Sequence, residues 1–216
     1  MPFVALLLYL GFWQVHRADE KRALQAILES RAKEPPVELT GFVPSADPLR
    51  YRRAVARGEW NAKGQVFIDN RIRDGRAGFE VVTPLRLADG AMLLVNRGWI
   101  ARDARYPQAP EVAVPPGEAQ VTGLATVPPR RVLELSPETV SGNVWQNLNL
   151  DRYRERMGGT VLPVVLLAST PAEGAAAVVE QPDAGIAKHV EYSLTWFSLA
   201  ATTVVLWLVL STRRVR

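Results

Sequence analysis

The sequence has no cysteine and only two histidines in 216 residues. Disulfides, thiolate-bound zinc, iron–sulfur clusters and a cysteine nucleophile are therefore excluded, and two histidines are too few for a histidine-rich metal cage. The sequence also lacks a phosphate-binding P-loop, a nucleophile-elbow motif and a glycine-rich dinucleotide-binding turn. These absences argue against the common enzyme classes, and no catalytic residue is predicted.

A strongly basic face is missing as well. The net charge is +4 at pH 7, and the arginines are interleaved with aspartate and glutamate. The densest basic clusters are short, such as the one from Arg50 to Arg57. Nucleic-acid binding calls for a clustered basic face with aromatic platforms, so no nucleic-acid partner is predicted.

The apolar residues are concentrated at the two ends of the chain. From Val190 to Leu210 the only charged residue is Glu191, and basic residues follow. At 1.5 Å per residue this stretch is long enough, with the residues before it, to cross a hydrocarbon layer of about 30 Å. It predicts a transmembrane helix over residues 189–210 and a basic tail over residues 211–216.

The N-terminal apolar stretch is shorter, because residues 1–15 carry no charge but span only about 23 Å as a helix. Either the true start lies upstream of Met1, or Gln14 and His16 complete the span. A cleaved signal peptide is disfavoured, since neither a basic leader nor a small-residue cleavage site is present. A first transmembrane helix is predicted over residues 1–16.

The part of the chain between the anchors, residues 17–188, is typical of a globular β-rich domain. Short β-branched runs alternate with turns such as Asp74-Gly75 and Asp89-Gly90, which favours antiparallel pairing or a barrel. The predicted fold is therefore a membrane protein of the α+β class, in which two transmembrane helices flank a mostly antiparallel β domain.

Some details of this domain are also predicted. The run from Asn143 is interpreted as a strand, and residues 151–157 as a short helix closed by two glycines. Residues 171–185, rich in alanine, proline, glutamate and glycine, are interpreted as an exposed excursion or linker. Asp69, like the other isolated aspartates, is interpreted as a solvated turn residue.

The two predicted spans place both termini on the same side of a membrane. The basic tail is expected to stay in the cytoplasm, whereas a loop as long as residues 17–188 is translocated largely regardless of its charge. The prediction is a multi-pass protein of a bacterial inner membrane, with both termini cytoplasmic and the central domain in the periplasm.

Four segments carry a family resemblance and read, in chain order, LGFWQVHRADEKRALQAIL, GQVFIDNRIRDGRAGFEVVTPLRLADGAMLLVNRGWIARD, NVWQNLNLDRYRERMG and KHVEYSLTWFSLA. The chain resembles the surfeit locus protein 1 family over nearly its whole length. This resemblance implies an assembly factor of haem–copper cytochrome c oxidase, not an enzyme in the ordinary sense. The factor would help to place haem a into the catalytic subunit of the oxidase. The implied partners are that subunit, the enzymes of haem a synthesis and the lipid bilayer.

The resemblance further implies that haem a is bound through a histidine at the second anchor, which is His189 here. Tyr192 and Trp196 share one face of the predicted helix with it, and a neutral imidazole is a common axial haem ligand. Arg17 and Lys188 are suitably placed for the haem propionates. The alternative for His189 is an interfacial residue that hydrogen-bonds the start of the helix.

His16 is open to two interpretations. If the anchors pack together, His16 and His189 could face each other across a haem as a bis-histidine site. The alternative is an interfacial side chain that reaches toward water.

The segment Asn96-Arg97-Gly98-Trp99 is also open to two interpretations. Arg97 could be buried and paired across strands, with a turn after it. Alternatively, Arg97 and Trp99 belong to a surface that contacts the oxidase subunit.

The leading function is a haem a-binding assembly factor. The alternative is a haem-free, membrane-anchored scaffold that stabilises the nascent oxidase subunit. A haem-modifying enzyme is disfavoured, because two anchors cannot supply the several histidines that such chemistry would need.

Overall fold

The computed structural model describes residues 2–128, 140–178 and 185–213, and these form two compact units. The helical unit comprises Met1–Ser30 and Glu180–Arg216, and the sheet unit comprises Arg31–Val179. The last three residues of the predicted cytoplasmic tail, 214–216, lie outside the described residues. The predicted membrane boundaries stay a prediction.

The chain forms three α-helices and nine strands in the part that is described. The helices are α1 (Pro2–Lys33), α2 (Leu150–Met157) and α3 (Ile186–Arg213). The strands are β1 (Val37–Leu39), β2 (Arg53–Trp60), β3 (Val66–Arg73), β4 (Arg76–Arg86), β5 (Met92–Ala101), β6 (Glu118–Thr126), β7 (Val140–Ser141), β8 (Val144–Trp145) and β9 (Val161–Ala168).

The nine strands form one sheet in the order β1-β2-β6-β9-β5-β4-β3-β8-β7. An additional pairing of β2 with β4, between Glu59 and Arg86 and between Trp60 and Leu85, joins two strands that are not neighbours in this order. Strands β2, β6, β9, β5 and β4 are thereby closed into a ring. The strand pattern predicted either an antiparallel sheet or a barrel. The five closed strands correspond to the barrel.

The described sheet is mixed, but six of its nine strand pairings are antiparallel, so it is mostly antiparallel as predicted. The hairpins β3–β4 and β4–β5 are antiparallel, as the turns at Asp74-Gly75 and Asp89-Gly90 indicated. Three pairings are parallel, namely β1–β2, β3–β8 and β5–β9. A tight turn dictates antiparallel pairing only for the two strands it joins. Strands that are distant in the chain, such as β5 and β9, can pair in either direction.

The described apolar core has three clusters: an inner one inside the ring, an outer one on the other face of its strands, and a small one of Phe67, Phe79 and Val81. The inner cluster takes alternate residues of the ring strands, including Ala54 of β2, Leu93 of β5 and Leu166 of β9. The outer cluster contains Trp145 and Tyr153, both fully buried, whose ring centroids are 5.9 Å apart. Alternation along each strand is the pattern expected where side chains point to opposite faces of a sheet.

The strand predicted from Asn143 is shorter than expected, since β8 ends at Trp145. Asn149 instead caps α2, because its side chain accepts hydrogen bonds from the backbone N–H groups of Asp151 and Arg152. Asparagine is among the preferred N-cap residues. The helix ends at Gly158 as predicted, with a positive φ of 69°.

The predicted linker after β9 is not a free excursion over its described part. The backbone N–H of Ala172 donates to the Arg97 carbonyl at 2.6 Å, and Ala172 itself is 8% exposed. Trp99 and Ala176 exchange two backbone hydrogen bonds of 2.7 and 2.8 Å. The segment up to residue 178 therefore packs onto β5. It provides hydrogen-bond partners for the backbone groups of Arg97 and Trp99.

One described helix is long and apolar enough to cross a membrane by length and composition. It covers Ile186–Thr212 in α3, and only 11% of its most apolar part is buried. The predicted first span is the first half of α1, whose residues are uncharged as far as Val15. The insertion of α1 in a membrane stays a prediction.

Candidate functional site

The candidate site lies in the helical unit, where α1 and α3 run antiparallel against each other. The ring of Phe197 contacts Gly11, and the side chain of His189 contacts Gln14. As the residue number rises in α1, that of its partner in α3 falls, which defines the antiparallel arrangement. The start of α3 is therefore level with the middle of α1.

Apart from Leu10 and Arg31, the less exposed residues of α1 form a stripe in which the spacing is alternately three and four residues. The members of this stripe are Val4, Leu7, Gly11, Gln14, Ala18, Lys21, Gln25 and Leu28. Such a 3.5-residue repeat keeps one seam of a helix turned toward a partner. Gln14 belongs to the stripe, and His16 does not.

The pairing also aligns the ends of the two apolar stretches. The uncharged part of α1 ends at Val15, next to Gln14. The long apolar part of α3 begins after Glu191, next to His189. Because Gln14 and His189 are in contact, the polar-to-apolar boundaries of the two helices are at the same level.

The central contact of the site is a hydrogen bond between His189 and Gln14. The distance between Nδ1 of His189 and Oε1 of Gln14 is 2.6 Å, and both side chains are half-buried. A carbonyl oxygen can only accept, so Nδ1 of the imidazole carries the hydrogen. In the neutral Nδ1–H tautomer the other ring nitrogen, Nε2, has a lone pair and is the atom that histidine offers to a metal.

The structure does not bring His16 to His189. The Nε2 atom of His16 lies 3.4 Å from Oε1 of Glu20, one turn along the same helix, and the His16 side chain is 76% exposed. Arg17 donates to the same carboxylate at 2.5 Å. The bis-histidine interpretation therefore finds no support in the packing of α1 and α3.

The two aromatic candidates, Tyr192 and Trp196, both follow His189 along α3. Tyr192 is 55% exposed, and Trp196 is half-buried. Residues three and seven positions after His189 lie on the same side of a helix. Tyr192 and Trp196 thus extend the His189 face into the apolar part of α3, and their binding role stays a prediction.

Arg97 is buried within the sheet unit. It is 6% exposed, lies 5.0 Å over the ring of Trp60, and donates to the carbonyl oxygen of Ala113 at 3.1 Å. Longer contacts of 3.5 Å reach the side-chain oxygens of Gln65 and Thr83. Burial lowers the pKa of the guanidinium from its ordinary value. These contacts agree with the burial expected for Arg97, although its partners are polar groups and a ring. The turn expected after Arg97 is not found, because β5 continues through Gly98 to Ala101.

Trp99 is half-buried and is tied to the neighbouring strand through its indole, whose Nε1–H donates to the Arg71 carbonyl at 2.7 Å. Gly98 has a φ of 125°, which favours glycine, and a Cβ there would lie 2.8 Å from Ala175. Arg97 therefore offers little surface to a partner and Trp99 offers part of its ring. Their contact with an oxidase subunit stays a prediction.

Asp69 is not the solvated turn residue that was expected. It lies in β3, its side chain is 15% exposed, and its Oδ1 accepts from Nη2 of Arg102 at 2.7 Å and from Nε at 3.1 Å. The Arg102 guanidinium in turn lies 4.0 Å over the Tyr106 ring. The pair is a structural ion pair that connects β3 to the segment after β5.

Across the described residues, no group of three or more histidine, cysteine or carboxylate side chains could hold a metal ion. The single imidazole of His189 is a different kind of donor. If a haem were bound here, the Nε2 atom of His189 would be the atom able to hold its iron.

Comparison with known proteins identifies the family. A family model described as the SURF1 family matches residues 1–201. The chain belongs to the SURF1 family. This confirms the resemblance that the four sequence segments indicated.

Individual SURF1 relatives match over most of the chain. It is 29% identical to Surfeit locus protein 1 of Mus musculus over 216 residues, which cover 92% of this chain and 70% of the mouse protein. It is 25% identical to the SURF1-like protein of Rickettsia felis over 219 residues, which cover 94% of this chain and 91% of that protein. The human Surfeit locus protein 1 is 29% identical over 224 residues.

Gln14 is the site residue that sequence reasoning did not assign to His189. The sequence presents Gln14 only as a residue that could complete the first span, within one of the segments that carry the SURF1 resemblance. A signal was present, because a polar side chain near an apolar stretch is a functional candidate and usually has a partner. Its partner could not be found without the register between α1 and α3.

Proposed function

We propose that this SURF1-family chain is an assembly factor for haem–copper cytochrome c oxidase, which binds haem a and assists its insertion into the catalytic subunit. His189 is the axial ligand, through Nε2. The chain acts by binding and handing over its cargo, without catalysing a reaction. Its partners are the catalytic subunit, the enzymes of haem a synthesis and the lipid bilayer.

The observation that carries this proposal is the position of His189. Its imidazole lies at the level where the apolar stretches of both helices end, and it is half-buried. Haem a has a long isoprenoid tail and two propionates, so its binding site needs an apolar side and a polar side. Tyr192 and Trp196 offer aromatic surface on the apolar side. Arg17 and Lys188 are the nearest basic residues in sequence on the polar side.

The surface of the helical unit supports a membrane location. Large apolar side chains on both helices are exposed, among them Phe3, Tyr9 and Phe12 of α1 and Leu206 and Leu210 of α3. Exposed apolar surface of this extent marks a contact with lipid or protein. We propose that residues 1–16 and 189–210 span a bacterial inner membrane. The sheet unit then lies in the periplasm, and both termini lie in the cytoplasm.

The role of the sheet unit is contact with the oxidase. The exposed part of Trp99 is our candidate for this contact, whereas the buried Arg97 supports the strand beneath it. Neither residue is proposed to touch haem.

The proposal is tested by the optical spectrum of the full chain, purified in detergent from cells that synthesise haem a. We expect stoichiometric haem a in the wild type and its loss in His189→Ala. The matched control is His16→Ala, which changes the other histidine and should leave the spectrum unchanged. A colourless wild-type protein under these conditions would refute haem binding and favour the haem-free scaffold.

A further inference from the structure

The hydrogen bond from His189 to Gln14 gives the proposed ligand a specific partner. The acceptor is a neutral carboxamide oxygen, 2.6 Å from Nδ1. The two residues come from different helices and occupy facing positions of the α1–α3 seam. The contact therefore depends on the pairing of the helices and not on either helix alone.

The group that accepts from Nδ1–H controls two properties of a ligating histidine. It fixes the tautomer and the orientation of the ring, and it adjusts how strongly Nε2 donates to a metal. A carboxylate acceptor pulls the Nδ1 proton and makes the imidazole a stronger donor. A neutral amide orients the ring without adding negative charge, so the imidazole remains a moderate donor.

The choice of carboxamide has a consequence for cargo handling. A protein that must release its haem gains nothing from a very strong iron–imidazole bond. Carboxylates are present in the helical unit, for example at Glu20 and Glu191, but the structure places a carboxamide against the ring.

We propose that Gln14 is a positioning residue for His189. It holds the imidazole as the Nδ1–H tautomer, with Nε2 free, and its neutrality keeps the iron–imidazole bond weak enough for transfer. The part of this proposal that concerns haem transfer rests on the proposed function. The tautomer itself can be measured without any haem.

The first experiment uses the haem-free full chain labelled with ¹⁵N-histidine, in detergent at alkaline pH. Because the chain has only two histidines, the His189→Ala variant assigns both sets of ring signals. We expect His189 in the wild type to be the Nδ1–H tautomer. In Gln14→Leu this preference should be lost. An Nε2–H tautomer in the wild type, or a tautomer unchanged in Gln14→Leu, would overturn the proposal whether or not the protein binds haem.

The second experiment compares haem-loaded wild type, Gln14→Leu and Gln14→Glu. In the resonance Raman spectrum of the ferrous form, the iron–histidine stretch should move to higher frequency in Gln14→Glu and to lower frequency in Gln14→Leu. Transfer of haem to excess apomyoglobin should be about 10-fold faster in Gln14→Leu and slower than wild type in Gln14→Glu. An unchanged stretch in both variants would contradict the positioning role even if His189 ligates the iron.

The matched control is Gln25→Leu. Gln25 belongs to the same stripe of α1, but its amide donates to Glu29 of its own helix at 2.9 Å. This variant should keep the wild-type tautomer, stretch and transfer rate. Circular dichroism of each variant shows whether the helices are retained. If Gln14→Leu loses helix content, the proposal is decided by two other measurements. These are the tautomer of His189 in the wild type and the comparison of Gln14→Glu with the wild type.

Discussion

The ring of Phe197 in α3 occupies the space in which Gly11 of α1 would carry a side chain. A Cβ built on Gly11 would lie 2.5 Å from the nearest ring carbon, which is shorter than real carbon contacts. Phe12 holds the same ring in an edge-to-face contact, with centroids 5.2 Å apart. The close approach of the two helices, and with it the contact between Gln14 and His189, therefore depends on a glycine at position 11.

Replacing Gly11 with valine should destabilise the helix pair by about 1–3 kcal/mol, the usual cost of forcing extra atoms into a packed contact. The measurement is thermal unfolding of the full chain in detergent, followed by circular dichroism at a helix-sensitive wavelength. The control is Ala5→Val, which adds two methyl groups at an exposed position of the same helix. Adding Phe197→Leu to Gly11→Val should restore part of the loss. If Gly11→Val and Ala5→Val were equally stable, the close contact would be wrong.

The ion pair between Asp69 and Arg102 should contribute measurably to the stability of the sheet unit. Asp69→Asn removes the charge partner of a guanidinium that is only 25% exposed. We expect a loss of about 1–2 kcal/mol, between the values typical of exposed and of buried pairs. Urea unfolding of the full chain measures this loss.

The matched control for Asp69→Asn is Asp74→Asn. The Asp74 side chain is 93% exposed, and asparagine tolerates its φ of 49°. This control should change the free energy of unfolding by less than about 0.5 kcal/mol. Equal effects of the two variants would show that Asp69 is solvated, as the sequence had suggested.

Glu80 should make the stability of the sheet unit depend on pH. Burial raises the pKa of its carboxyl group, and the Arg71 guanidinium and the Asn96 amide, which donates at 2.9 Å, only partly oppose this. At pH values between the pKa of Glu80 in the unfolded chain and its higher pKa in the folded chain, the folded state binds more protons than the unfolded state. The contribution to stability is therefore complete below about pH 4.3 and is lost as the pH rises through the folded pKa.

Glu80→Gln should remove this contribution to the pH dependence, because glutamine is neutral and its carbonyl can still accept from Asn96. Free energies of unfolding measured from acidic to neutral pH should fall less steeply in the variant than in the wild type. The same exchange at the exposed Glu59 serves as the control and should retain the wild-type profile. A steeper fall in Glu80→Gln would contradict the assigned direction.

Tyr153 should stabilise the sheet unit through its hydroxyl group as well as through its ring. The side chain is fully buried, and the hydroxyl donates to the Gly64 carbonyl at 2.8 Å. Tyr153→Phe keeps the ring against Trp145 but leaves the carbonyl without this donor. We expect a loss of about 1–2 kcal/mol in the free energy of unfolding, measured in urea. Tyr106→Phe is the control and should cost less, because Tyr106 is 45% exposed and its hydroxyl donates a longer hydrogen bond, 3.3 Å, to Asp69.

Several features followed from the sequence because they depend on neighbouring residues. The apolar character of α3, the hairpin turns at Asp74-Gly75 and Asp89-Gly90, and the end of α2 at Gly158 are set by local composition and backbone preference. The family resemblance was also readable, because it rests on short ordered segments. His189 was singled out in this way, by its place in one such segment at the start of an apolar helix.

Tertiary structure alone decided which distant residues meet. The parallel pairing of β5 with β9 and the closure of the ring by β2 and β4 join strands far apart in the chain, for which no turn dictates a direction. The ion pair of Asp69 with Arg102 depends on the same sheet. In the helical unit, the register of α1 against α3 selects Gln14, and not His16, as the partner of His189. Side-chain periodicity defines the face of each helix, but only the packed pair defines which residues of the two faces are level.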